Sequence, residues 1–195
     1  MKNRLDYKII YDMIHSNSRV LDLGCGDGTL LSNLREEKKC HVTGIEIDEE
    51  AIYSCIEKGV TTVQGDIDST LGDYSNKRFD YVILNESVQQ IMHPEKVILE
   101  SLRIGKKVIV GLPNFCHASA RLQIFFAGQV PVTKWLPYKW YNTPNLRFLS
   151  IKDFRSFCAE KHISIVQERG LRNNVEIKIL RNLFAHNCIF LLSKK

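Results

Sequence analysis

The sequence predicts an α/β fold built on one mostly parallel sheet, and three observations predict it. Short apolar runs of strand length alternate along the chain with longer stretches of helical apolar rhythm. Near the amino end stands Ser18-Arg-Val-Leu-Asp-Leu-Gly-Cys-Gly-Asp-Gly28, a short buried strand that breaks into a glycine turn and opens a helix. A carboxylate, Glu46, follows at the end of the second strand, 18 residues beyond Gly28, where a nucleotide-binding βαβ unit presents an acid to a ribose diol.

At 195 residues the chain is long enough for one domain with a sizeable core, and we read residues 1–195 as a single unit. Hydrophobic content of 44% with 25% charged residues is ordinary for a soluble globular protein and does not favour disorder. The amino end, Met1 to Asp12, mixes Lys2, Arg4, Asp6 and Lys8 with its apolar residues and so offers no signal-peptide core. No apolar run approaches membrane-spanning length, and a cytoplasmic protein is expected. Six cysteines (Cys25, Cys40, Cys55, Cys116, Cys158, Cys188) are scattered without C-x-x-C or finger spacing, which predicts reduced core thiols and no metal site. A net charge of +5 is too modest and dispersed to identify a nucleic-acid binder, although it permits an acidic partner.

The elements follow in order. Leu5, Ile9, Ile10, Met13 and Ile14 give Leu5 to Ile14 an amphipathic helical rhythm, which covers the sheet or a cofactor beside the first strand. Val20, Leu21 and Leu23 are too short a run for a helix and form that strand. Its turn is not that of a dinucleotide site, because the third glycine of G-x-G-x-x-G would fall at Thr29. Asp22, with Asp27 inside the turn, would also repel a diphosphate. The same carboxylates attract a ligand that carries an ammonium and a sulfonium, as S-adenosylmethionine does.

Thr29 to Glu36 continues as a helix and Cys40 to Ile47 as a second strand; Asp48 caps a helix over Glu49 to Lys58, which Gly59 stops. Val60 to Gln64 is a third strand that ends at Gly65-Asp66-Ile67. Asp68 to Arg78 is polar and irregular, and Phe79 to Leu84 is the fourth strand. Asn85 stands at its carboxyl end, where open α/β sheets place their ligand crevice, so Asn85, Glu86 and Gln89 are candidates for the floor of a site; each could equally cap the next helix, the favoured reading for Glu86 and Gln89. That helix spans Pro94 to Arg103, and Lys107 to Gly111 is the fifth strand.

From Leu112 to Ser150 the composition changes to four prolines, both tryptophans, two tyrosines and several basic residues. This predicts an insertion after the fifth strand, with an amphipathic helix within Asn114 to Ala127 and a proline-rich remainder that caps the carboxyl edge of the sheet. Ile151 to Lys161 resumes as a helix, with strands at Ile163 to Glu168 and Cys188 to Leu192. Gly170 to Ala185, rich in Arg and Lys, receives no element.

Asp22-Leu-Gly24-Cys-Gly26-Asp-Gly28 resembles the first motif of class I S-adenosylmethionine-dependent methyltransferases, an acidic residue followed by G-x-G-x-G. The resemblance implies a Rossmann-like seven-stranded class I methyltransferase fold, mostly parallel with an antiparallel last strand, and S-adenosylmethionine as cofactor, with S-adenosylhomocysteine as product. It implies that Asp22, Leu23, Gly24 and Gly26 form the turn of the cofactor site, with Glu46 on the ribose diol and Ile47 on the adenine face. Asp66 would accept from the adenine amino group while the Ile67 backbone N–H reaches the ring, and Asn85 would lie on the floor. On its residues alone Ile47 also reads as the last core residue of its strand. A lone Asp66 reads as a turn former that gains weight only beside Asp22 and Glu46.

The cap carries the most distinctive segments: Leu112-Pro-Asn-Phe-Cys-His117, Gly128-Gln-Val-Pro-Val-Thr133 and Leu136-Pro-Tyr-Lys-Trp-Tyr-Asn-Thr-Pro-Asn145. Together they resemble the MetW family of methionine biosynthesis proteins, from about Arg19 to Phe157. Departures stand at Cys116, Ala118 and Asn142, where the family commonly has Gly, Trp and Asp, and no role is carried to those positions. This resemblance implies action with homoserine O-acetyltransferase in the O-acetylhomoserine route to methionine, and leaves the methyl acceptor open.

Methyl transfer from a sulfonium needs alignment and exclusion of water, with a base only if the acceptor must lose a proton. His93, His117 and Tyr141 are the catalytic candidates, since they follow the fourth and fifth strands or lie in the cap. His93, just before Pro94, reads first as a helix cap. Tyr138, Trp140 and Tyr141 form either an aromatic wall for a substrate or the packing of the cap, and packing is the favoured reading. Three functions remain: an S-adenosylmethionine-binding partner of an acetyltransferase, a free-standing small-molecule methyltransferase, and an RNA methyltransferase. The last would use Lys134, Lys139, Arg147 and the stretch Arg169 to Arg181, and is disfavoured because those cations are not periodic.

Overall fold

The computed structural model describes residues 4–195; Met1 and Lys2, which entered the reading of the amino end, lie outside the described residues. The chain runs α1 (Leu5–Met13), β1 (Arg19–Leu23), α2 (Thr29–Lys38), β2 (His41–Glu46), α3 (Glu49–Glu57), β3 (Thr61–Gln64), the short α4 (Ile67–Thr70), β4 (Phe79–Asn85), α5 (Pro94–Ile104) and β5 (Gly105–Pro113). It continues through α6 (Ala118–Ala127), α7 (Ile151–Glu160), β6 (Ile163–Arg172), β7 (Val175–Ile177), the short α8 (Arg181–Phe184) and β8 (Asn187–Lys194).

All strands share one sheet in the order β3-β2-β1-β4-β5-β8-β6-β7. β1 pairs in parallel with β2 and β4, β2 with β3, and β4 with β5, so the expected mostly parallel sheet is formed. The last strand, β8, enters between β5 and β6 antiparallel to both, from Val108↔Leu192 to Pro113↔Asn187 on the β5 side. The central strands are buried on both faces, which is why they read as near-continuous apolar runs. Val20, Ile83 and Ile109 pack with α1 and α2 through Ile10, Leu31 and Leu34 on one face. Leu21, Val82, Leu84 and Val110 pack with α5 and α7 through Ile98, Leu102 and Phe154 on the other.

Among the described residues eight strands stand where seven were expected. The difference lies in the unassigned stretch after Gly170, where β6 runs on to Arg172 and β7 folds back on it from Gly170↔Ile177 to Arg172↔Val175. A bidentate pair between Arg169 and Glu176, at 2.5 and 2.6 Å, holds this hairpin and explains how a strongly charged segment sits in a sheet.

The insertion contains its helix, but the apolar face does not point inward. Of the residues of α6 only Ala120 is buried. Leu122, Phe125 and Phe126, which share one face at i, i+3 and i+4 spacing, are 56%, 80% and 78% exposed. Periodicity reveals that a face is apolar, not which side of the helix meets the protein.

Five cysteines are buried and Cys116 is half-buried, all as free thiols. Among the described residues no helix is long and apolar enough to cross a membrane.

Candidate functional site

Strand order reverses between β1 and β4, because the chain winds outward from β1 through β2 and β3 and then returns to β4. An open α/β sheet leaves a crevice at the carboxyl ends of its strands at such a point. A cleft of about 470 Å³ occupies it, lined by Gly24, Ile45, Glu46, Ile47, Asp66 and Ile67 from one side and by Asn85, Glu86, Ser87, Met92 and Leu146 from the other.

The glycine turn is built for this position. Gly24, Gly26 and Gly28 have φ of 81°, 54° and 71°, a region that side chains with a Cβ rarely adopt. A Cβ on Gly28 would also stand 2.7 Å from Cys55 Sγ on α3. The N–H groups of Gly24 and Cys25 donate to the Ile45 carbonyl. Glu46 closes the turn from β2: its carboxylate accepts from the backbone N–H of Gly26 at 2.8 Å, Ile47 at 2.8 Å and Asp48 at 3.1 Å. Glu46 thus holds two loops at once and still borders the cleft. Ile47 is 66% exposed and lines the cleft, so it is not simply the last core residue of β2.

Asp22 is the most unusual group in this region. Its side chain is buried at the carboxyl end of β1, and its Oδ1 has no hydrogen-bond partner. Burial, with a smaller contribution from the nearby charge of Glu46, pushes its carboxyl up to about 8. A buried carboxylate without a partner is costly unless a cation or donor meets it. Asp27, the other acid of the turn, behaves differently: Lys58 Nζ lies 2.7 Å from Asp27 Oδ2 and neutralises it locally. The acids of this region that have no local cation are therefore Asp22 and Glu46 rather than Asp27.

The far wall comes from the segment after β4. Asn85 donates from Nδ2 to Asp6 Oδ2 on α1 at 3.0 Å, while its Oδ1 is buried without a partner, and the carboxamide fits only because position 111 on β5 is Gly. Glu86 does not cap a helix. It sits at φ of 59°, its N–H donates to Gly111, and its carboxylate accepts from Asn187 Nδ2 at 2.7 Å. Burial raises its pKa against the pull of Arg4. Gln89 does not cap a helix either: it is buried, donates to the Glu86 carbonyl at 2.7 Å, and its own carbonyl accepts the N–H groups of both Leu146 and Arg147. Asp68, in the stretch read as irregular, accepts from the backbone N–H of Met92 and His93, both at 2.8 Å. Asp68, Ser87, Gln90, Met92 and Leu146 line the cleft and were not singled out in the sequence; no periodicity marks them.

Of the cofactor-site residues expected from the sequence, Gly24, Glu46, Ile47, Asp66, Ile67 and Asn85 line the cleft, whereas Asp22 and Leu23 are buried in β1 and Gly26 stands in the turn without lining it; Asp66 is at the N-terminus of α4, where Oδ1 accepts from Asp68 N–H at 2.9 Å. The three catalytic candidates do not join them. His93 precedes Pro94 of α5, but its side chain makes no cap bond. His117 is buried as the N-cap of α6, with Nδ1 2.8 Å from Ser119 Oγ, and packs edge-to-face on His186, which in turn stacks on Trp135. Burial pushes His186 down to about 4 and lowers His117 as well, so both rings are neutral at neutral pH. Tyr141 is 64% exposed beside Trp140, which departs from the expected packing of the cap.

A family model described as methionine biosynthesis protein MetW matches residues 4–192. The bifunctional methionine biosynthesis protein MetXA/MetW of Rhodopirellula baltica is 30% identical over 173 residues, which are 84% of this chain and 28% of that protein. The chain thus spans less than a third of that relative's length. Among solved structures, an S-adenosylmethionine-dependent methyltransferase of Thermotoga maritima, described as a possible histamine N-methyltransferase, is 16% identical with a TM-score of 0.67, covering 98% of this chain and 88% of that one. An S-adenosylmethionine-dependent methyltransferase of Archaeoglobus fulgidus is 18% identical with a TM-score of 0.66, over 98% and 91% of the two chains. The [4+2]-cyclase SpnF is 16% identical with a TM-score of 0.70, over 96% and 80%. At such identities the likeness is one of fold, and a fold hosts many chemistries.

Proposed function

This chain belongs to the methionine biosynthesis protein MetW family, and from that premise we propose that it binds S-adenosylmethionine in the cleft at the end of β1 and acts with homoserine O-acetyltransferase in methionine biosynthesis. The observation that carries the cofactor reading is the buried, unpartnered Oδ1 of Asp22 beside a glycine turn. The ammonium of an adenosyl amino acid supplies the donor and the positive charge that this oxygen lacks, whereas a diphosphate would add a second negative charge. Glu46 offers its remaining acceptor capacity to the ribose hydroxyls, Ile47 an apolar face to the adenine, and Asp66 an acceptor to the adenine amino group. Asn85 and Glu86 form the facing wall of the cleft, and the bound compound would supply a transferable methyl group on its sulfonium.

Calorimetric titration tests this reading. S-adenosylmethionine and S-adenosylhomocysteine should both bind, and 5′-methylthioadenosine, which lacks the ammonium, should bind much more weakly. Tight binding of a dinucleotide instead would overturn it. The partnership, supported by the fused MetXA/MetW relative, is tested by co-elution with the acetyltransferase and by acetylation that depends on both proteins.

A second reading, a free-standing small-molecule methyltransferase, is favoured by one feature. Glu86 lines both the cofactor cleft and a second cavity of about 300 Å³ bordered by Arg4, Asp6, Trp135, His186 and Asn187, which offers room for an acceptor beside the cleft. Transfer of label from S-adenosylmethionine to a component of a metabolite extract would favour it.

A further inference from the structure

The segment between β5 and α7 carries an apolar surface without a partner. Leu122, Phe125 and Phe126 form an outward stripe on α6, opposite the buried Ala120, and later in the same segment Trp140, Tyr141 and Phe148 are 76%, 64% and 60% exposed. Single exposed apolar side chains are ordinary, but a helix that turns its small residue inward and its phenylalanines to water marks a surface that something else covers. Aromatic side chains of this kind are the usual anchors of protein interfaces.

Charge narrows the occupant. From residue 112 to residue 150 there is no Asp or Glu, while Arg121, Lys134, Lys139 and Arg147 are present. The complementary face is therefore apolar with an acidic rim. In the Rhodopirellula baltica relative, the region matching this chain is 28% of a polypeptide that is also named MetXA, so there the two parts meet at the high local concentration of a single chain. The same segment is the part of the sequence that resembles the family most specifically. It is also fastened to the cofactor cleft: the N–H groups of Leu146 and Arg147 donate to the Gln89 carbonyl, Arg147 Nη2 donates to the Met92 carbonyl at 2.7 Å, and Leu146 and Met92 line the cleft.

We propose that the outward stripe of α6, with Trp140 and Tyr141, is the docking surface for homoserine O-acetyltransferase, and that its seating is coupled to occupancy of the cleft through the Gln89 to Leu146 connection. This rests on the partnership proposed above and adds the surface that makes it. A ligand that binds the docked and free forms unequally shifts docking by that difference in affinity, and docking shifts ligand affinity by the same factor.

The test measures binding of the full chain to the acetyltransferase of the same organism by calorimetry, with and without S-adenosylmethionine. The variants are Phe125→Glu/Phe126→Glu and, as a control, Ile56→Glu, an exposed apolar position on α3, which packs on the edge strand β3. The double variant should weaken docking by at least about thirtyfold, as loss of central aromatic anchors does, with an unchanged melting temperature. The control should bind like the wild type, S-adenosylmethionine should change the wild-type affinity, and added salt should weaken it. Wild-type docking that the double variant retains overturns the surface while leaving the partnership intact. Absence of any wild-type docking overturns the partnership itself, and titration of S-adenosylmethionine then reports separately on the cleft. If the double variant abolishes self-association or adhesion to anionic vesicles while acetyltransferase affinity is kept, the stripe serves a second copy or a membrane, and the proposal falls.

Discussion

Asp22→Asn should change the pH dependence of cofactor binding more than any other substitution. Moving the carboxyl from an ordinary 3.8 to about 8 corresponds to roughly 6 kcal/mol against the charged form in the folded protein. At pH 7 only about one molecule in eleven then carries the ionised carboxylate, so apparent affinity for a cationic ligand is about tenfold below its limit, and about a hundredfold below it at pH 6. Above pH 8 the α-amino group of the ligand loses its own proton, with an ordinary pKa of about 8. Affinity should therefore rise from pH 6, peak near pH 8 and fall again. Calorimetry in two buffers of different ionisation heat should show nearly one proton released per ligand bound at pH 7. Asp22→Asn should remove both the rise and the proton release, and weaken binding at pH 8 by about 10- to 100-fold, the scale of a lost charge-assisted hydrogen bond. Stability should move the other way. A carboxyl held above its unfolded value contributes fully below about pH 4, and that contribution is lost as pH rises toward 8. Asp22→Asn should therefore raise the melting temperature of the ligand-free protein by about 10 degrees or more at pH 8 and hardly at all at pH 4. Wild-type affinity that is flat from pH 6 to pH 8, with no proton released, would refute the reasoning.

Three further outcomes are expected. Glu46→Ala removes the acceptor of three backbone N–H groups and should weaken S-adenosylmethionine and S-adenosylhomocysteine alike by about 1–3 kcal/mol. It should also move the acid limb of the pH profile downward, because the charge of Glu46 helps to raise Asp22; unchanged affinity would take Glu46 out of the site. Gly28→Ala combines a φ of 71° with a methyl pressed on Cys55 Sγ and should cost about 1–3 kcal/mol, read as a fall in melting temperature, and a melt like the wild type's would contradict the strain. Gly111→Ala drives a methyl into the Asn85 carboxamide, so it should break the bond to Asp6, speed amide exchange in α1 and lower cofactor affinity several-fold; exchange rates equal to the wild type's would show that Asn85 does not anchor α1.

Much of this arrangement was legible because it depends on local sequence. The central strands are buried on both faces and announce themselves as apolar runs, and the glycine turn is required by backbone angles that few other residues accept. Asp22, Glu46, Asp66 and Asn85 could be found by their places at strand ends. What was not legible depends on contacts distant in sequence. Asp68 and Gln89 act through backbone groups more than 20 residues away or across the cap, and nothing in their own neighbourhoods signals it. The reading of β6 stopped at Glu168 because Arg169 breaks the apolar pattern, yet a partner seven residues on makes it compatible with a strand. The helix of the insertion was found, but α6 is only weakly amphipathic, and the side it turns to the protein is decided by Ala120 and its surroundings, which periodicity does not report.

The sheet ends in β3, four residues long, on one side and in β7, three residues long, on the other. Short borders offer an incoming chain few unpaired donors and acceptors, so the protein is guarded against strand-by-strand growth into aggregates. The same brevity restricts legitimate company: another protein must recognise side chains on helices and loops, because there is little backbone ladder left to extend.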